Sequence, residues 1–397
     1  VLTPRPYQIE GRDFLAGRQV AALFDEMRVG KTPQAILAAA KIGAGLILVI
    51  CPAIAVEHWR REFARWYPAL QDPAVMSFER ALIQRPALLA NTYDVVIVDE
   101  CHFAGNPTAQ RTQLIFKELA KRTKHFWALS GTPAPKHAGS LWPLLACAGV
   151  VKQDYDAFLR RYCRIDFLSQ RPIGTKEEMI PELRALWQSI ALRRTRKQVA
   201  PEVPDIDFNF LEIDPTQAPR VDIPAGLSDD ALVERAESED RVLVALAKVE
   251  PLLHEIEFAL DNSLFKQTVV FGWHLEPLRK LVSCLNAMGF PATLLTGETS
   301  QVRRQEVQDL FRMGALDVIV GQIKACGTAI DLSAASHCYF LELDWVPGNN
   351  VQAANRLVSL EKGEKVTADV CTWPGSVDDR IQRVLVRRAA ELNKLLA

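Results

Sequence analysis

The chain has no cysteine pair at metal-ligand spacing. Its eight cysteines stand at 51, 101, 147, 163, 284, 326, 338 and 371, and no two make a C-x-x-C, which argues against a zinc knuckle. It lacks an apolar run long enough to cross a bilayer, and no signal peptide opens it. The expectation is therefore a reducing cytoplasm, free thiols and no membrane partner. Excess charge of either sign is missing too: 47 Lys and Arg stand against 48 Asp and Glu, a net charge of −1. No global basic signature points to nucleic acid, although a local groove of Lys and Arg would suffice. Short repeats, low-complexity segments and a nuclease-like cluster of Asp, Glu and Lys are also lacking.

What is present is ordinary globular composition, 49% hydrophobic and 24% charged over 397 residues. That length is enough for two domains of roughly 200 residues, each with its own core. Short β-branched runs at 46–50 (LILVI), 95–98 (VVIV), 269–271 (VVF) and 318–320 (VIV) are apolar on both faces, as strands of a covered parallel sheet are. Helical patterns lie between them at 32–40, 56–66, 277–288 and 302–312, and further ones run over 242–260 and 376–395. Strand, loop, helix, repeated, reads as α/β. The last segment reads as an amphipathic helix packed on the second domain. Five prolines, at 201, 204, 215, 219 and 224, break the pattern. They divide the chain into domains of residues 1–204 and 205–397, with the strand at 207–213 opening the second.

Residues 25–32 read DEMRVGKT and lead into PQAILAAA. Gly30 lets backbone approach a phosphate at a helix N-terminus, Lys31 would neutralise it, and the Thr32 hydroxyl suits Mg2+. Alone, G-K-T does not separate a phosphate loop from a strand-to-helix turn, because Asp25 occupies the first glycine position of the full pattern. Residues 95–102, VVIVDECH, change the balance. Carboxylates at the carboxyl end of a strand point into the ligand crevice of an α/β sheet. There Asp99 would hold Mg2+ and Glu100 would activate a water. Ser130, Gly131 and Thr132 follow another apolar strand and could couple the carboxylates to a nucleic-acid strand. His102 reads as a hydrogen-bond relay to that segment.

Taken in order, these segments resemble the Swi/Snf helicase-like ATPases of helicase superfamily two over nearly the whole chain. RPYQIEG (5–11) is similar to the adenine-reading segment, ICPAIAVEHWRREFARW (50–66) to a DNA-backbone segment, and DECHFAGN (99–106) to the DExH motif. ALSGTP (128–133) is similar to motif III, and LRRTRKQVAPEVP (192–204) to the segment closing the first domain. TGETSQVRRQEVQDLF (296–311) and residues 324–356 follow the second-domain pattern. The lean is toward the annealing-helicase branch, in a compact bacterial or phage form. The resemblance implies two RecA-like domains with an ATP cleft between them. It implies ATP and Mg2+ as cofactors, and a monomer translocating on or remodelling DNA, with room for a protein partner on that DNA. Lys31, Asp99, Glu100 and Arg356 would be catalytic. Arg5, Gln8, Arg28, Val29, Gly30, Lys31, Thr32, Asp99, Gly327 and Asp331 would hold the nucleotide, with Thr32 and Asp99 on the metal. Pro52, Arg60, Ser130, Gly131, Thr132, Gly297, Arg303 and Lys324 would meet DNA.

The chain departs from the family at four places. Arg28 and Ala329 replace usual glycines, Val358 a histidine, and Ser359 the second arginine of Q-x-x-x-R-x-x-R, the family's arginine finger. Lys362 or a nearby Arg could substitute, hydrolysis could be slow, or ATP could act only as a binding switch. Two other readings remain open: a DNA-binding regulator with an impaired ATPase, and an RNA-directed DExH helicase. Arg61, Arg65 and Arg304 are further phosphate-contact candidates. The tryptophans at 59, 66, 273, 345 and 373 read as packing residues more than as base-stacking platforms.

Overall fold

Alternation decides where the apolar strands go. Leu48, Ile50, Val96 and Val98 join one buried cluster with Phe126, Phe158 and Trp187. Their neighbours Ile47, Val49, Val95 and Ile97 join another with Trp59, Phe63 and Trp127. A sheet covered on both faces follows, because successive side chains point to opposite sides. Its strands are β1 (Val20–Leu23), β2 (Ile47–Cys51), β3 (Ala74–Ser77), β4 (Tyr93–Asp99), β5 (Thr123–Leu129) and β8 (Ala191–Leu192). They lie in the order β3-β2-β4-β5-β1-β8, every neighbouring pair parallel. An antiparallel pair, β6 (Cys163–Ile165) and β7 (Pro172–Thr175), stands apart from it.

The second sheet repeats the plan. It contains β9 (Ile206–Glu212), β10 (Thr268–Gly272), β11 (Ala292–Leu295), β12 (Val318–Gln322), β13 (His337–Phe340) and β14 (Val366–Thr372). The order is β11-β12-β10-β13-β14-β9, again parallel throughout. Val270, Val318, Val320 and Tyr339 pack on Leu252 and Ile256 of the helix Glu239–Asp261 and on Leu278 and Leu281 of the helix Leu275–Ala287.

The structure is a computed structural model that describes residues 3–70, 72–135, 137–167, 170–201, 205–213, 239–327, 330–359 and 363–396. It divides into Val1–Pro201 with Ala390–Ala397, and Glu202–Ala389. The expected α/β class with parallel sheets flanked by helices is present. One expectation is corrected. The final helix, Val377–Leu396, reads in the sequence as packing on the second domain; its residues up to Ala389 belong with the second unit, but Ala390–Ala397 belong with the first. Leu395 and Leu396 are buried in the first unit's core, Trp187 Nε1 donates to the Leu395 carbonyl at 3.2 Å, and Glu391 pairs with Arg164. Prolines 204, 215, 219 and 224 fall outside the described residues. Among those described, no helix is long and apolar enough to cross a membrane.

Candidate functional site

Register brings the first-unit motifs together. Leu129 of β5 lies beside Leu23 of β1 and beside Asp99 of β4, and Ile50 of β2 lies beside Val98. Neighbouring strands are about 4.8 Å apart, so the segments that follow these ends, at 24–30, 130–132, 99–102 and Pro52, emerge along one edge. The helix Lys31–Lys41 starts there, capped by Gly30 at φ +77°, a left-handed conformation that glycine adopts without penalty. Arg28 also has a positive φ, 65°.

Lys31 Nζ donates to the carbonyls of Asp25 at 2.8 Å and Glu26 at 3.1 Å. Among the described residues it has no ion pair. Burial lowers its pKa, against the pull of Glu100, Asp25 and Asp99. A half-buried ammonium among neutral carbonyls at a helix N-terminus fits an incoming phosphate. Gly131 closes the other side: a Cβ there would lie 3.0 Å from Met27 Cγ and 3.5 Å from Lys31 Nζ.

Asp99 accepts from Trp59 Nε1 at 2.8 Å and from the Glu100 amide at 3.0 Å. Burial raises its pKa, the Glu100 charge adds to that, and the Trp59 bond opposes it. Glu100 sits at φ +49°, a sparsely populated conformation for a side-chain-bearing residue. His102 Nδ1 lies 2.9 Å from Ser130 Oγ and 3.2 Å from the Glu100 carboxylate. The Ser130 hydroxyl in turn accepts from the Thr132 amide at 3.1 Å. His102 thus occupies a relay position. No group of three potential metal ligands occurs among the described residues. Mg2+ does not need one, since one or two carboxylates, waters and phosphates can hold it.

Ser130, Gly131 and Thr132 are buried. Ser130 faces Glu100 and His102. Arg60, on the helix Val56–Trp66, is exposed and 3.9 Å from Glu57. Arg5 precedes the helix Pro6–Ala16 and its amide donates to Gln8 Oε1 at 2.9 Å. Gln8 is buried, and its Nε2 would lie 2.7 Å from a Cβ on Gly30, so it flanks the loop. Val29 is buried and Thr32 half-buried.

In the second unit, Gly321 pairs with Phe271 and with Leu295, which sets Trp273, Gly297 and Lys324 along one carboxyl edge. Lys324 Nζ lies 4.3 Å from the centroid of the Trp273 ring, and Gln322 joins the Gly297 amide, at 3.4 Å, to the Trp273 carbonyl, at 3.0 Å. Gly297, Arg303 and Lys324 are exposed. Arg304 differs from the exposed Arg303. It is buried, with its guanidinium on the carbonyls of Thr296, Thr299 and Ala325. Arg356 Nε donates to the Gly327 carbonyl at 2.9 Å, and the exposed Asp331 receives the Ser333 amide at 3.2 Å. Ala329 and Lys362 lie outside the described residues.

Sequence reasoning missed the partners of Trp59 and Asp25, and missed Arg194 itself. Arg194 Nη2 holds the fully buried Asp25 carboxylate at 2.6 Å. Only the pairing of β8 with β1 makes these residues neighbours.

The model of the SNF2-related domain matches residues 7–97 and 72–220, and that of the Helicase conserved C-terminal domain matches 247–360. The chain is 27% identical over 409 residues to the SWI/SNF-related matrix-associated actin-dependent regulator of chromatin subfamily A-like protein 1 of Xenopus tropicalis, covering 94% of this chain and 43% of that protein. It is 23% identical over 427 residues to the DNA annealing helicase and endonuclease ZRANB3 of Homo sapiens, covering 97% of this chain and 39% of that one. The solved SWI2/SNF2 ATPase core of Sulfolobus solfataricus in complex with dsDNA is similar at a TM-score of 0.47 and 18% identity, over 99% of this chain and 92% of that one. The chain thus spans well under half the length of these two curated relatives.

Proposed function

The chain belongs to the SNF2-related family of helicase-like ATPases, and from that premise we propose that it hydrolyses Mg-ATP when engaged on DNA and moves along or remodels that DNA. One observation supports the reading above the rest: Lys31 and the adjacent Asp99 and Glu100, far from it in sequence, emerge along one carboxyl edge of the first sheet beside a helix N-terminus.

In this reading Gly30, Arg28 and Val29 offer backbone N–H groups to the phosphates, and Lys31 neutralises them. Magnesium, when bound, supplies positive charge to the phosphate oxygens, and Thr32 and Asp99 are the residues to hold it. Glu100 orients the attacking water and takes its proton, with His102 and Ser130 fixing the carboxylate. Arg5 and Gln8 select the base. In the second unit Arg356, Gly327 and Asp331 are the residues that the family motifs assign to the nucleotide. Arg60 and Pro52 in the first unit, and Gly297, Arg303 and Lys324 in the second, take backbone phosphates of DNA. Such contacts give salt-dependent affinity with little base selectivity.

The test is phosphate release by the purified chain with long duplex DNA, single-stranded DNA and RNA. Stimulation by duplex above the other two is expected. Stimulation by RNA alone would replace the reading with an RNA helicase. A second reading, a DNA-bound regulator with an impaired ATPase, rests on Ser359 in place of arginine. It is favoured if Ser359→Arg raises turnover by about 10³-fold, the scale of an arginine finger.

A further inference from the structure

Asp25 occupies a glycine position of the phosphate loop, and the structure gives it a partner. We propose that Arg194 is a positioning residue of the nucleotide site, holding the Gln8 helix, the start of the phosphate loop and the Lys31 helix as one body. This rests on the ATP reading.

Backbone pairing sets Arg194 in place. The Phe24 amide donates to the Leu192 carbonyl at 2.8 Å and the Glu26 amide to the Arg194 carbonyl at 3.0 Å, so parallel pairing of β8 with β1 continues past both strand ends. The side chain then turns inward and is buried. A guanidinium carries five N–H donors in a fixed fork, and the contacts use the whole fork. Nε and Nη2 grip the Asp25 carboxylate at 3.1 and 2.6 Å, and Nη2 also donates to Gln34 Oε1 at 2.7 Å. Nη1 donates to the Tyr7 carbonyl and lies 3.4 Å from the Glu10 carboxylate.

Those partners come from three segments. Tyr7 and Glu10 lie on the helix that carries Gln8. Asp25 opens the loop, and Gln34 lies one turn beyond Lys31. Gln34 Nε2 extends the node, donating to Asp25 at 3.2 Å and to the Gly30 carbonyl at 3.1 Å. An independent feature fits. Gly11 sits inside the helix Pro6–Ala16, where glycine is a poor helix former. A Cβ there would overlap Gln34 Oε1 and lie 2.9 Å from Arg194 Nη2. The helix therefore reaches the node only with glycine at this place. Lysine cannot replace Arg194, having three donors and no planar fork.

Two variants of the full chain test the node: Arg194→Lys, which keeps the charge, and Gly11→Ala, which leaves Arg194 and Asp25 intact but displaces the Gln34 amide. The readouts are the dissociation constant for a fluorescent methylanthraniloyl-ATP with Mg2+, the split between KM and kcat, and cooperative thermal unfolding to show that each variant is folded. Nucleotide binding weaker by about tenfold or more in both folded variants, with kcat at saturation changed far less, is the expected result for a lost alignment. If a variant does not fold, the other carries the test. Lower thermal midpoints with unchanged nucleotide affinity and KM would make the node structural only and overturn the proposal, leaving the ATP reading intact. Failure of the unaltered chain to bind the nucleotide would overturn both.

Discussion

Arg28 shows how one side chain can depart from a motif while the loop keeps its shape. The backbone there is left-handed, φ 65°, a region that costs a residue with a Cβ roughly 1–2 kcal/mol. Glycine removes that cost and returns part of it as unfolded-state entropy. Arg28→Gly is therefore expected to stabilise the first unit by about 0.5–1 kcal/mol, seen as a thermal midpoint roughly 2 °C higher. The ATP KM of this variant is expected to stay nearly unchanged, because the proposed contact is through the backbone; a large rise in KM would assign the side chain to the nucleotide. Lys31, Thr32, Asp99 and Glu100 were readable in the sequence because each ends an apolar strand or starts a helix. Asp25 and Arg194 were not. They are 169 positions apart, and no local pattern announces that β8 will lie beside β1. The bond from Trp59 to Asp99 was hidden for the same reason, since Trp59 reads only as the apolar anchor of an amphipathic helix.

At the scale of elements, Asp94 fastens the beginnings of three strands. Its carboxylate accepts from the Gly45 and Leu46 amides, both at 3.0 Å, just before β2, and pairs with Lys124 of β5 at 2.8 Å. Lys124 first, then the Leu46 amide, lowers its pKa to about 2. A carboxyl group whose pKa is lower folded than unfolded contributes stability above its unfolded value of about 3.9, and loses it as pH falls through the folded value. Asp94→Asn is expected to cost about 1–2 kcal/mol at pH 7. In denaturant titrations its gap from the unaltered chain should hold down to about pH 5 and narrow as pH falls from about 4 toward 2. A gap independent of pH in that window would rule out the charge as its source. The central strands β2, β4, β10 and β12 were legible because they are apolar on both faces. β8, with only Ala191 and Leu192, carries too few residues for a periodic signal, yet it sets the partner of the phosphate loop.

For the whole molecule, the repeated strand, loop and helix pattern was enough to anticipate two α/β lobes with parallel sheets. Where the final helix belongs was not legible. An amphipathic pattern tells which face is buried but not against what, and Leu395 and Leu396 turned out to complete the first unit's core. The segments at 25–32, 99–102 and 130–132 could be recognised because each follows or ends a strand, where a fold of this class collects its chemistry. The burial of Ser130 and Arg304 could not be, since a hydroxyl or a guanidinium reads the same in sequence whether it faces solvent or backbone. The central claim is that the edge holding Lys31, Asp99 and Glu100 breaks down ATP in response to DNA. Its most direct measurement is steady-state phosphate release with Mg-ATP, with and without long duplex DNA, by the unaltered chain and by Lys31→Ala. Release that rises on adding duplex and falls to background in Lys31→Ala is the expected result; equal release by the two proteins, with or without DNA, would contradict it.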